Sequence, residues 1–226
     1  MDEPQTRSDQ MALAPLPEAI SWQYIVLTIA LALLFLAIAG ARIPVDRARR
    51  VVDLNDLELT QVYESAAVGV RFSHPEGWIV TPIPERFIVA NFDAVSVGSD
   101  GQLQSVRGPE EPGQVAIEFR NYARQSGFSM QMTPAEIVQQ FLAANRSGMR
   151  EISAVTDVTV GGVPGARAHF TQIVSEHAYE TEFVVLAPTE ANLLIIQAVV
   201  VDGTWAGVSR LFSRILDGVQ ITGAAA

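Results

Sequence analysis

The chain has 226 residues, with 25 Asp and Glu against 15 basic side chains, all Arg, and a net charge of −10. The deficit is −3 over residues 1–59 and −7 over residues 60–226. An acidic domain without a basic stripe makes a poor nucleic-acid partner, because counterion release needs clustered positive charge. The absence of Cys removes disulfides, thiolate nucleophiles, Cys-ligated zinc, iron–sulfur clusters and acyl anchoring together.

Residues 1–19 are polar, carry Pro4, Pro15 and Pro17, and lack periodicity, which predicts a disordered tail. Residues 20–43 follow as an apolar run whose centre, Tyr24 to Ala41, holds no charge and only Thr28 as a clearly polar member. A bilayer core of ~30 Å asks for about 20 apolar residues, so the run predicts a single transmembrane helix and a lipid bilayer as partner. Trp22 and Tyr24 sit where an interfacial aromatic belt holds one end, and Arg42 can snorkel at the other. A cleavable signal peptide would want a basic start and a shorter core; this start is acidic. Ala37 and Ala41 form a small-xxx-small pair through which two helices can approach, the basis for a weak homodimer. Residues 44–62 read as a juxtamembrane linker, or a short helix, with Arg47, Arg49 and Arg50 close to the headgroups.

Residues 63–226 read as one globular domain. Strands are expected at 68–72, 78–83, 87–91 and 94–97, with the turn Ser73-His-Pro-Glu-Gly77 between the first two. Gly98 to Gly113 is the least structured stretch, a loop or irregular hairpin with Glu110-Glu111 at its acidic centre. Residues 114–122 alternate cleanly, placing Val115, Ile117 and Phe119 on one face. Thr133, Pro134 and Glu136 spell a capping box with Pro in the first turn, and Met132 with Ile137 a hydrophobic staple. Ile137, Val138, Phe141 and Leu142 form the buried stripe of that helix, which Gly148 ends. Strands at 152–160 and 166–174 flank the turn at Gly161-Gly162, and strands at 179–187 and 192–201 follow. The last of these, NLLIIQAVVV, is almost wholly apolar, as a central strand covered on both faces should be. A helix from Trp205 to Asp217 and a short strand at 219–222 close the chain. Hairpins dominate, so the sheet should be largely antiparallel with helices packed on it, an α+β architecture.

Three pieces resemble the PsbP-like family, the photosystem II extrinsic proteins and their bacterial relatives. They are Val70-Arg-Phe-Ser-His-Pro-Glu-Gly-Trp78, Val160-Gly-Gly-Val-Pro-Gly-Ala-Arg-Ala-His-Phe170 and the closing Phe212-Ser-Arg-Ile-Leu-Asp-Gly-Val-Gln-Ile221. The resemblance spans Tyr63 to Thr222 and implies an α/β/α sandwich around a mainly antiparallel sheet. Many bacterial relatives are exported lipoproteins; this chain departs from them in having no Cys to lipidate. The family brings no shared catalytic residues, and a fold does not carry a function with it.

No nucleophile–base pair, phosphate loop or zinc motif is visible, so no catalytic, metal or cofactor residue is assigned. His74 reads as a turn cap. His169 shares a strand face with Arg167 and Thr171, and reads as a solvated side chain beside Glu180 or Glu182. His177, near Glu176 and Glu180, is the one place where the sequence sets imidazole and carboxylate together as candidate cation ligands. Trp78 and Trp205 read as core anchors, with an aromatic groove contact as the alternative. The sequence thus points to a non-enzymatic, membrane-tethered module that docks onto or helps assemble a membrane protein complex. The alternative is a small-ligand-binding sensor domain. The Arg bias flanking the span places the domain in the cytoplasm; the exported relatives argue for the other side.

Overall fold

In the computed structural model, which describes residues 52–97, 103–124, 131–174 and 176–222, thirteen strands and two α-helices are formed. The strands are β1 (Gln61–Ser65), β2 (Val70–His74), β3 (Ile79–Ile83), β4 (Arg86–Ala90), β5 (Val95–Val97), β6 (Leu103–Val106) and β7 (Val115–Ala123). They continue with β8 (Met149–Arg150), β9 (Thr156–Val160), β10 (Val163–Val174), β11 (His177–Leu186), β12 (Asn192–Val201) and β13 (Gln220–Ile221). The helices are α1 (Pro134–Asn145) and α2 (Ser209–Asp217).

The almost wholly apolar β12 lies between β7 and β11 in the main sheet, ordered β3-β4-β7-β12-β11-β10-β8, with β9 also paired to β10. Every described pairing is antiparallel. Neighbouring residues of a strand point to opposite faces, and both faces of the middle strands are apolar. Phe183, Val185, Leu193 and Ile195 face α1, whose Ile137, Val138, Phe141 and Leu142 close over them. The ring of Phe141 stacks on Phe183 with centroids 4.4 Å apart. Val184, Leu186, Leu194 and Ile196 face the other way, toward Leu211, Phe212, Ile215 and Leu216 of α2. A small sheet, β1-β2-β13, completes that second layer. Its Phe72 stacks with Phe87 and Phe119, and both contacts to Phe119 are 4.8 Å between centroids. Burying each such ring stabilises the fold by about 1.5–3 kcal/mol. The helices therefore cover opposite faces of the sheet. A third apolar cluster, with Ile88, Ala90 and Ala116, lies under the bulged hairpin β5–β6.

Local punctuation explains α1. Thr133 Oγ1 accepts from the Glu136 amide at 3.3 Å, and Glu136 Oε2 accepts from the Thr133 amide at 2.7 Å. Met132 packs on the cluster that holds Ile137, as the staple requires. At the β9–β10 turn, Gly161 and Gly162 have φ of +58° and +80°, and a Cβ on Gly161 would meet the Val219 carbonyl at 2.8 Å.

Several expectations are corrected. The closing helix is not continuous from Trp205: Trp205–Gly207 forms a 3-10 turn, and α2 begins at Ser209. The strand expected at 152–160 starts only at Thr156. The linker expected to run to residue 62 gives way to β1 at Gln61, and residues 52–60 are an ordered strap, not a helix. The strap's Leu54 amide donates to the Gly207 carbonyl at 2.8 Å. Asn55 Nδ2 donates to the Ala206 carbonyl at 2.8 Å, and Asn55 Oδ1 accepts from the amides of Arg210 (2.8 Å) and Leu211 (3.2 Å). Asn55 thus caps α2 across 155 residues of sequence, where α2 has no side-chain cap of its own. Arg214 Nη1 donates to the carbonyls of Asn55 (3.1 Å) and Leu57 (3.0 Å), and Arg210 pairs with Asp56. The predicted span at 20–43, the tail at 1–19 and the Ala37–Ala41 pair lie outside the described residues, and among the described residues no helix is long and apolar enough to cross a membrane.

Candidate functional site

On the α2 side of the sheet, the alternation that buries Val184 and Leu186 carries Glu180 and Glu182 onto the same face. The antiparallel register sets His169 opposite Glu182 and Thr171 opposite Glu180, with Arg167 opposite Val184. Two carboxylates on a face this apolar need partners, because an unpaired buried charge is costly. Glu180 finds them in the chain that follows β12. Its Oε2 accepts from the amides of Thr204 (2.9 Å) and Trp205 (2.7 Å), which fixes the 3-10 turn and brings the indole over the sheet. The Trp205 ring then lies 5.0 Å from His169 and 5.8 Å, edge-on, from Phe212.

These side chains line an open cleft of ≈ 440 Å³, shared with Arg167, Ser209 and Ser213. Glu182 is at its floor, with its side chain 9% exposed. Its oxygens lie 3.3 Å from His169 Nδ1 and 3.7 Å from Arg167 Nη1, and neither contact is a hydrogen bond. His169 Nδ1 is itself buried without a hydrogen-bond partner. The hydroxyls of Ser153 and Ser213 are engaged by backbone groups. Ser153 Oγ accepts from the His169 amide at 2.9 Å and donates to the Ala154 carbonyl at 3.1 Å, while Ser213 Oγ donates to the Ser209 carbonyl at 3.0 Å.

His169 is therefore beside both Glu180 and Glu182 and is partly solvated, its side chain 26% exposed with the Trp205 ring 5.0 Å away. Trp78 is a core anchor, 8% exposed. Trp205 only partly joins that core and serves as a cleft wall. His74 is buried with Nδ1 2.9 Å from the Pro75 carbonyl, in keeping with a turn cap. His177 rests against Tyr179, while Glu180 is committed to backbone amides, so the suggested cation cluster is not assembled. Among the described residues no three His, Asp or Glu side chains are grouped to hold a metal ion. The acidic loop folds back onto the domain. The amides of Glu110 and Glu111 donate to Gln114 Oε1, and the Glu110 charge adds to burial in raising the pKa of the Tyr179 hydroxyl.

Sequence reasoning placed the His–Glu pairing and offered the groove contact of Trp205 only as the alternative to a core anchor. The available signal was the pair Glu180 and Glu182 on a strand face otherwise filled by Val184 and Leu186, which demands covering donors.

No protein-family model matches the chain, and no curated protein matches it. Among solved structures, cyanobacterial PsbP (CyanoP) from Synechocystis sp. PCC 6803 is similar at 13% identity, covering 80% of this chain and 98% of that one, with a TM-score of 0.47. The Saccharomyces cerevisiae Ran-binding protein Mog1p is similar at 11% identity over 72% and 95% of the two chains, TM-score 0.45. The putative regulator PA94 from Pseudomonas aeruginosa is similar at 9% identity over 70% and 93%, TM-score 0.42. Likeness at this level carries no argument about activity, ligand or partner.

Proposed function

We propose that the chain is a non-enzymatic, membrane-tethered docking module whose recognition surface is the Trp205 cleft. The observation that carries this reading is the strap. Leu54 and Asn55 bond to Gly207 and Ala206, the residues that directly follow Trp205. A membrane span at residues 20–43 would then hold the domain by its cleft side, close to proteins in the same bilayer. The cleft suits this use. It is open, it has aromatic walls of the kind enriched at binding hot spots, and its Ser153 and Ser213 hydroxyls are spent on backbone groups. The Arg bias around the span favours a cytoplasmic domain, as membrane-complex assembly from that side requires.

Isolation of the tagged full-length chain from its own membranes in mild detergent tests the reading. A membrane protein retained by the natural chain and lost with Trp205→Ala, at unchanged far-ultraviolet circular dichroism, is the expected outcome. Retention of a small molecule in the cleft with no protein partner would replace docking with the sensor reading.

A further inference from the structure

We infer that the cleft receives a cationic side chain, a guanidinium or ammonium group presented by the docked protein, seated between the Glu182 carboxylate and the Trp205 ring. This deepens the docking reading and rests on it. Glu182 is the first observation. A carboxylate nine-tenths buried is ordinarily hydrogen-bonded as well as paired, yet among the described residues this one has only the loose ion pairs of 3.3 Å to His169 and 3.7 Å to Arg167, neither of them a hydrogen bond. Its neighbour Glu180 offers no relief, being held by the Thr204 and Trp205 amides. Arg167 lies 3.7 Å away, but its side chain is 41% exposed and stands too far from Glu182 for the forked, charge-assisted pair a guanidinium makes with a carboxylate. Glu182 therefore has acceptor capacity that an incoming cation can use, and Arg167 can move into solvent when one arrives.

The second observation is aromatic. Trp is the strongest of the aromatic cation acceptors, and Trp205 lines the same cleft as Glu182. Charge adds a third argument. The chain carries a net charge of −10, of which residues 60–226 hold −7. Cations are drawn to such a surface before contact, and anions are repelled. A partner that presents Arg or Lys to this face fits all three.

Full-length chain labelled with 5-fluorotryptophan, in mild detergent, offers a direct test. The Trp205 fluorine resonance is the one missing from Trp205→Phe. Titration with a blocked Gly-Arg-Gly tripeptide is expected to shift it saturably, and the same tripeptide with neutral citrulline in place of Arg is expected not to. Glu182→Gln should weaken the response by roughly tenfold or more, the scale of a lost charge-assisted hydrogen bond. Arg167→Ala should tighten it, since the competing cation is gone. No saturable shift, an equal shift with citrulline, or weaker binding in Arg167→Ala would overturn the inference. So would free arginine binding more tightly than the blocked tripeptide, which would mark a site for a small molecule. If the tripeptide fails while a membrane protein is still lost with Trp205→Ala, docking stands and only the cation is withdrawn.

Discussion

The two helices begin in opposite ways. At α1 every group that satisfies the first turn is local: Thr133 and Glu136 exchange hydrogen bonds, and Pro134 needs no partner for the amide it lacks. At α2 the N-terminal residue Val208 has no capping side chain, and the first amides are satisfied by Asn55 of the strap. A self-capped helix reports nothing about the rest of the chain. A helix capped from a distant segment is coupled to it, and here that segment comes from the side of the predicted membrane span. The difference places the strap beside the cleft and leaves α1 independent on the opposite face of the sheet.

Packing should not distinguish the two helices. Phe141→Ala in α1 and Phe212→Ala in α2 are each expected to cost about 3–5 kcal/mol in denaturant unfolding, because both rings are buried in apolar clusters. A cost below ~1 kcal/mol at Phe212 would mean that α2 is only loosely applied to the sheet.

The caps should differ. Asn55→Ala removes the acceptor for two α2 amides and the donor to Ala206, so it should cost about 2 kcal/mol, the upper end for a lost cap. Hydrogen exchange should speed at Arg210 and Leu211, with α1 unaffected. Thr133→Ala should cost about 1 kcal/mol and loosen only α1. Equal exchange at α2 in the natural chain and Asn55→Ala would break the comparison.

That contrast also explains what was legible beforehand. α1 could be read from residues 132–142 because its cap, proline, staple and apolar stripe are all local. β12 was legible for a related reason: an almost wholly apolar run of strand length belongs in the middle of a sheet covered on both faces. His169 beside Glu180 and Glu182 followed from strand alternation. The strap was not legible, because residues 51–62 alternate weakly and Asn55 has meaning only next to amides 155 residues away. The groove role of Trp205 stood only as an alternative for the same reason. Its placement depends on Glu180 accepting two amides across a turn, an interaction no local pattern announces.

The smallest expected effect is the pH dependence of the α1 cap. The backbone and side chain of Thr133 both donate to the Glu136 carboxylate and lower its pKa in the folded chain. The folded carboxyl therefore releases its proton more readily than the unfolded one. Its stabilisation is complete above the ordinary Glu value of about 4.3 and is lost as pH falls through the depressed folded value. The gap in melting temperature between the natural chain and Glu136→Gln should be open near neutral pH and close in acid. A gap independent of pH would show that the carboxylate charge adds nothing to the cap.

The claim that the cleft side is the working face is tested most directly by photo-crosslinking from two faces in native membranes. A photoreactive residue at Ser213, exposed on the cleft rim, is compared with one at Gln139, exposed on α1 across the sheet. The account predicts a discrete protein adduct from position 213 that disappears with Trp205→Ala, and none from position 139. The same adduct from both positions, or one from 139 alone, would contradict it.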